Sequence, residues 1–177
     1  MDLASGALIF VVTIGGLLDV QMGKIPNVLT YPSWVVGFVL ALGLGGVGGL
    51  GNAVLGFAVG FVPLFLLYLR GGMGGGDVKL MAGVGALMGY PFVVNALVST
   101  ILVGGLLAFL IVLWEGQIWN TIKFVGQSLW RVFNPHLQPI APVTKRVLPF
   151  GAAITLGCYA TLIAERLGYA SPADFLL

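Results

Sequence analysis

Six apolar segments separated by short connections constrain the fold of this chain more than any other feature of its sequence. They cover residues 3–22, 31–50, 53–69, 78–88, 92–114 and 147–164. A helix needs about 20 apolar residues to cross the hydrocarbon core of a bilayer, and it satisfies its own backbone hydrogen bonds there. We therefore expect an all-α polytopic membrane protein with six transmembrane helices, folded as a single membrane-embedded domain over residues 1–177.

The composition favours burial in lipid and excludes several classes of function. Only 8% of the residues are charged, against about 25% in a soluble domain, so the lipid bilayer is the expected surrounding. The net charge of +2 comes from scattered basic residues, which gives no basis for binding nucleic acid. Cys158 is the only cysteine, so we expect no internal disulfide and no thiolate metal site.

The distribution of basic residues predicts the orientation of the spans. Seven of the eight Lys and Arg residues fall in or beside the connections that follow the first, third and fifth segments: Lys24, Arg70, Lys79, Lys123, Arg131, Lys145 and Arg146. The positive-inside rule makes that side of the membrane cytoplasmic. Both termini are then expected to face the exterior.

The connection between the fifth and sixth segments carries an amphipathic pattern. Apolar residues recur at steps of four, three, four and four positions: Ile118, Ile122, Val125, Leu129 and Phe133. This spacing puts them on one helical face, which predicts a helix that lies in the cytoplasmic interface of the membrane. The pattern leaves open whether this helix guides a substrate or only links two spans.

Two aspartates are the ionisable residues most in need of an explanation. Asp19 lies at the inner end of the first segment and Asp77 at the start of the fourth, both on the predicted cytoplasmic side. A charge within a span costs roughly 2.5–3.5 kcal/mol on insertion, so both are candidates for function. Two close carboxyl groups share one proton. The ionised group can accept a proton from water while the protonated one polarises a peptide carbonyl. The alternative is that each aspartate caps a helix or pairs with a nearby cation: Lys24, Arg70 or Lys79.

The positions of the two aspartates within their helices also predict how they divide the charge. A helix N-terminus favours a negative charge and a C-terminus disfavours it. We expect Asp77, at a helix start, to be the more readily ionised member. Asp19, near a helix end, is then expected to hold the shared proton.

The residues around both aspartates resemble the motifs of a known family. GGGD at residues 74–77 resembles the GxGD motif of membrane aspartic proteases, and with VKL at 78–80 it is similar to the second-aspartate motif of type IV prepilin peptidases. Asp19, followed by KIPNVLT at 24–30, resembles the first-aspartate motif of that family. LPFG at 148–151 resembles its Pro-aromatic-small element, which opens the last helix.

The resemblance implies a membrane peptidase that removes the short leader of a prepilin or pseudopilin at the cytoplasmic face of the bacterial inner membrane. The implied substrate has a basic leader followed by an apolar helix. Asp19 and Asp77 carry over as the catalytic pair, and the glycines before Asp77 are expected to adopt unusual backbone dihedrals. Six other matching positions are expected to support the site: Gly74, Gly76, Lys79, Pro26, Asn27 and Pro149.

The sequence departs from the longer members of this family in one respect. Those members carry an N-terminal cytoplasmic extension with paired CxxC motifs, which is associated with methylation of the new N-terminus. Here the first apolar segment begins at residue 3 and Cys158 is the only cysteine. We expect cleavage without N-methylation, with no zinc, no S-adenosylmethionine and no other cofactor. The short form resembles the dedicated peptidases of tight-adherence (Flp) pilus systems, although archaeal preflagellin peptidases share the GxGD motif.

Two other classes of function stay open at this point. A small membrane transporter or channel subunit could use Asp19 and Asp77 as a proton or cation relay. A non-catalytic assembly scaffold could rest on close helix packing, and it would tolerate Asn at either position. Glycines spaced by four indicate such packing: Gly56 with Gly60, and Gly85 with Gly89.

Overall fold

The computed structural model describes residues 2–114 and 150–168, and the regular structure in these residues is helical. It consists of α1 (Leu3–Met22), α2 (Asn27–Leu69), α3 (Gly75–Met88), α4 (Tyr90–Trp114) and α5 (Phe150–Arg166). Residues 105–114 belong to a separate compact unit from residues 2–104 and 150–168. The larger unit carries both aspartates.

Three of the described helices are long and apolar enough to cross a membrane: α1, α2 and α4. The 14 residues of α3 and the 17 residues of α5 are fewer than the roughly 20 that a full span takes. The described residues therefore form a polytopic helical membrane protein with three candidate spans, and the count of six stays a prediction. The predicted interfacial helix, at positions 118–133, lies outside the described residues.

Helix α2 differs from the sequence prediction, which separated two spans at residues 51–52. Its 43 residues run on past that point, and the one residue with non-helical dihedrals inside the helix is Gly46, at φ 60° and ψ −150°. A straight helix of that length would measure about 65 Å, twice the bilayer core. The chain instead folds back, since the ring of Phe57 meets those of Trp34 and Phe38 at centroid distances of 4.9 and 5.6 Å.

The reversal falls at Gly46 because its backbone conformation is open essentially to glycine alone. Six glycines between residues 43 and 51 spread the turn signal over the whole stretch, and the sequence pattern does not single out one of them. The two arms of α2 nonetheless correspond to the second and third predicted segments. The prediction was therefore wrong about the place of the turn but not about the two apolar arms.

The second arm of α2 packs against α3 through glycines, and this confirms the predicted close helix contact. A β-carbon on Gly56 or Gly85 would collide with the backbone of the facing helix. One on Gly60 would lie 2.6 Å from the carbonyl oxygen of Met81. The two backbones consequently touch, and α3 lies inside the bundle with fully buried side chains at Leu80, Met81 and Val84.

Helices α1 and α5 pack side by side through a small polar contact. The Thr155 hydroxyl donates a hydrogen bond to the Val12 carbonyl oxygen at 2.6 Å, and a β-carbon on Gly16 would collide with the same hydroxyl. One turn further along α1, the first turn of α5 reaches Asp19. This packing brings the start of α5 to the end of the bundle where α1 finishes.

The glycine contact between α2 and α3 predicts a large effect of a single methyl group. Gly85→Ala should lower the free energy of unfolding by about 1–3 kcal/mol, because the methyl group meets backbone that cannot rotate away. Gly43→Ala is the matched control, since nothing lies within 4 Å of a β-carbon there. Both are checked by thermal or denaturant unfolding in detergent micelles, and equal stability of the two variants would contradict the contact.

Candidate active site

Asp19 is placed by the way α1 ends. Gly23 adopts a left-handed conformation, with φ 63°, and its N–H donates a hydrogen bond to the Asp19 carbonyl oxygen at 2.8 Å. This is a common way to stop a helix, and glycine adopts the conformation without strain. The helix therefore ends one turn after Asp19, whose side chain is buried at 9% exposure.

The start of α5 supplies the hydrogen bond to the Asp19 side chain. The backbone N–H of Gly151 donates to Asp19 Oδ2 at 2.7 Å, within the protein interior. Gly151 is the second residue of α5, and the N–H groups of a first turn have no partner inside their own helix. A β-carbon on Gly151 would lie 2.8 Å from both Cβ and Oδ2 of Asp19. Only glycine fits at this position.

Asp77 is placed in the first turn of α3. Gly74 is the N-cap, and a backbone hydrogen bond from Gly74 reaches the Asp77 carboxyl group. A side chain at the third helical position that reaches back to its N-cap is half of a capping box. The other oxygen, Asp77 Oδ1, is buried and has no hydrogen-bond partner within residues 2–114 and 150–168. It is the one carboxylate oxygen there that is buried without a partner.

The glycines that precede Asp77 do not have the unusual dihedrals that the sequence suggested. Gly74 has φ −75° and ψ 141°, and Gly75 and Gly76 begin the helix, so this prediction was wrong. Positions 74 and 76 instead require a residue without a side chain, because neighbouring atoms lie where a β-carbon would be. A β-carbon on Gly76 would lie 3.0 Å from Ile25 Cβ, and one on Gly74 would lie 2.9 Å from Asp77 Oδ2.

The fold brings the two predicted aspartates together. Helix α1 packs on α3 where a β-carbon on Gly15 would touch the Leu80 side chain at 3.1 Å. The carboxyl groups of Asp19 and Asp77 are close enough for their charges to repel. Two such groups, buried side by side, are more stable with one proton between them than with two charges. The site can then offer one proton acceptor and one proton donor.

Lys79 does not pair with Asp77 but ties α3 to the start of α2. Its ammonium group donates to Asn27 Oδ1 at 2.8 Å and lies 5.0 Å from the centroid of the Tyr31 ring. The Trp34 indole N–H donates to the Lys79 carbonyl oxygen at 2.9 Å. One oxygen of Asp77 therefore does cap its own helix, as the alternative interpretation predicted. The predicted ion pair between Asp77 and Lys79 is not formed.

Two of the predicted supporting residues remain, Pro26 and Pro149. Pro26 is the N-cap of α2 and directly follows Ile25, which packs under Gly76. Pro149 lies outside the described residues. Sequence reasoning missed Ile25 and Gly151 as parts of the site, although Gly151 is the small residue of the element at 148–151.

These features define a class of protein: a helical membrane protein with two buried carboxyl groups held at one end of its bundle. The chain belongs to the type IV leader peptidase family, whose sequence pattern matches residues 6–109, including both aspartates. That family consists of aspartic peptidases. No solved structure matches the chain.

Several curated proteins are similar to the chain. It is 35% identical over 168 residues to the prepilin leader peptidase/N-methyltransferase of Aeromonas hydrophila, covering 91% of this chain and 49% of that protein. The protein of the same description from Xanthomonas campestris pv. campestris is 32% identical over 142 residues, covering 72% and 44%. The chain thus spans about half the length of the curated relatives it matches.

The hydrogen bond between Lys79 of α3 and Asn27 of α2 predicts that mutations of these two residues have coupled effects on stability. In a double-mutant cycle with Asn27→Ala and Lys79→Met, the coupling free energy of unfolding should be about 0.5–1 kcal/mol, since the hydrogen bond is solvent-exposed. Lys79→Met keeps an apolar stem over Tyr31 and removes only the ammonium group. The control cycle pairs Asn27→Ala with Arg166→Met in the last turn of α5. Additive effects in both cycles would show that the tie contributes nothing.

Proposed function

We propose that this chain is a membrane aspartic endopeptidase that removes the short leader peptide of prepilins or pseudopilins, with Asp19 and Asp77 as its catalytic pair. The observation that carries the proposal is that the two carboxyl groups lie close enough for their charges to interact. They come from positions 58 residues apart in the sequence, and each receives a backbone hydrogen bond at a helix start. Membership of the type IV leader peptidase family supports the same reaction class.

The chemistry follows from one proton shared by two carboxyl groups. The ionised group accepts a proton from a water molecule, whose oxygen attacks the scissile carbonyl carbon. The protonated group donates its proton to the carbonyl oxygen as the carbonyl carbon becomes tetrahedral. When the carbon–nitrogen bond breaks, the leaving amine takes the proton that the first group accepted. As the carboxyl product forms, a hydroxyl on the tetrahedral carbon returns a proton to the second group. Both residues thereby return to their starting charge, and the reaction consumes one water molecule.

The charge distribution supports an active site at the cytoplasmic face of the bacterial inner membrane. Lys24, Arg70 and Lys79 lie in the connections and helix starts near the two aspartates. At the other end, where α1 begins and α5 ends, Asp2 and Glu165 line a common cavity together with a single basic residue, Arg166. Basic residues gather on the cytoplasmic side of membrane proteins. The proposed arrangement is six spans with both termini outside, within one membrane-embedded domain.

The proposed substrate has a basic leader followed by an apolar helix. The relatives are prepilin leader peptidases by description, and an apolar segment beyond the cut would remain in lipid beside the bundle. We propose cleavage without N-methylation for these 177 residues, because they contain one cysteine, Cys158, which is buried. A pilin of a tight-adherence (Flp) system is the proposed natural substrate.

Cleavage in reconstituted membranes tests the proposal. Purified protein in liposomes is mixed with a prepilin-type substrate, and product is measured at the leader junction for wild type, Asp19→Asn and Asp77→Asn. Each variant should lose at least about 100-fold in rate, because general acid–base groups contribute about 10²–10⁴-fold. Asp2→Asn is the matched control at the opposite end of the bundle and should keep wild-type activity.

Two outcomes contradict this proposal. Full cleavage by a correctly folded Asp19→Asn or Asp77→Asn variant would remove that residue from the reaction. A wild-type protein that cuts none of several prepilin-type substrates would favour a proton or cation relay instead. Folding of each variant is checked by its unfolding midpoint, so that loss of structure is not mistaken for loss of chemistry.

A further inference from the structure

The first turn of α5 lies against Asp19, and this contact bears on which of the two aspartates is ionised. The Gly151 N–H to Asp19 Oδ2 distance of 2.7 Å is in the short range typical of hydrogen bonds to a charged carboxylate. The N-terminus of a helix also presents a partial positive charge. Because the site is buried, little water competes with either contribution. Both favour a negative charge on Asp19.

Asp77 has a different environment, although it too lies at a helix start. Gly74 supplies a backbone hydrogen bond to its carboxyl group, but Oδ1 is buried without a partner in the described part of the chain. An ionised carboxylate carries charge on both oxygens and needs donors for both. Burying one charged oxygen without a hydrogen-bond donor costs more free energy than the helix dipole contributes at the first turn. A proton on Asp77 removes that cost.

We propose that α5 assigns the roles of the two aspartates: Gly151 holds Asp19 as the ionised member, which accepts the proton from water, and leaves Asp77 as the proton donor. This inference rests on the proposed function, since it assigns the proton-accepting and proton-donating roles within the same catalytic pair. Gly151 is a positioning residue, because it acts through its hydrogen bond to Asp19. The assignment reverses the one expected from helix ends, which considered α1 and α3 alone.

The N–H group itself is the first target of a test. Replacement of Gly151 by glycolic acid turns the Phe150–Gly151 amide into an ester, which removes the donor and adds no atom. We expect kcat for leader cleavage to fall about 10- to 100-fold, with KM unchanged. The matched control is Ala152→lactic acid, which removes the next first-turn N–H, one not bonded to Asp19, and should keep wild-type kcat.

A side-chain variant tests the same contact by displacement. Gly151→Ala keeps the N–H but puts a methyl group where 2.8 Å separates it from Asp19 Cβ and Oδ2. We expect a fall in kcat at least as large as that of the ester, again with little change in KM. A rise in KM with kcat unchanged in both variants would mean that the position serves substrate binding and would overturn the inference.

Infrared difference spectra test the division of the proton directly. If Asp77 holds the proton, Asp77→Asn should lose the protonated-carboxyl band of the pair, and Asp19→Asn should keep it. The opposite pattern would overturn the assignment. This readout does not depend on turnover, so it stays informative if the ester variant folds poorly.

The failure of this inference and that of the proposed function can be told apart. If Asp19→Asn and Asp77→Asn are both inactive while the ester at position 151 retains full kcat, the catalytic pair stands and the role of Gly151 is wrong. If either Asn variant cleaves normally, the proposed pair itself fails, and the assignment of roles fails with it.

Discussion

Two carboxyl groups buried side by side at one end of a membrane bundle depend on hydrogen-bond donors that the protein must supply. Helix starts are a ready source, because their first N–H groups have no partner in the helix. The site uses two of them: Gly74 before α3 for Asp77 and Gly151 in α5 for Asp19. The places where these two helices begin are therefore as much a part of the site as the aspartates.

Glycine allows those helix starts to approach the two carboxyl groups. It does so because it lacks a side chain, more than because of its dihedral freedom. The contact of Gly85 with Gly56 holds α3 inside the bundle, Gly76 lets the Ile25 segment pack under the start of α3, and Gly151 lets α5 reach Asp19. Each would place a β-carbon within about 3 Å of a neighbouring atom. A methyl group at any of them would move an element that positions a carboxyl group.

The family match and the tertiary structure contribute different parts of this site. Residues 6–109 match the type IV leader peptidase family and contain both aspartates, whereas α5 begins at residue 150. The hydrogen bond to Asp19 thus comes from a part of the chain beyond the matched stretch. The reaction class rests on the pair of carboxyl groups, and the proposed difference between them rests on α5.

The sequence by itself determined that the chain lies in lipid, where its apolar helices run and which two carboxyl groups form the candidate pair. Hydropathy and the cost of a charge in lipid are local properties of residues, including Asp19 and Asp77. It did not determine the turn at Gly46, since neighbouring glycines carry the same signal. Only the tertiary structure decided that Lys79 contacts Asn27 instead of Asp77, and that Gly151 faces Asp19. Such contacts join residues 52 and 132 positions apart, and their formation depends on how whole helices pack, which no local pattern encodes.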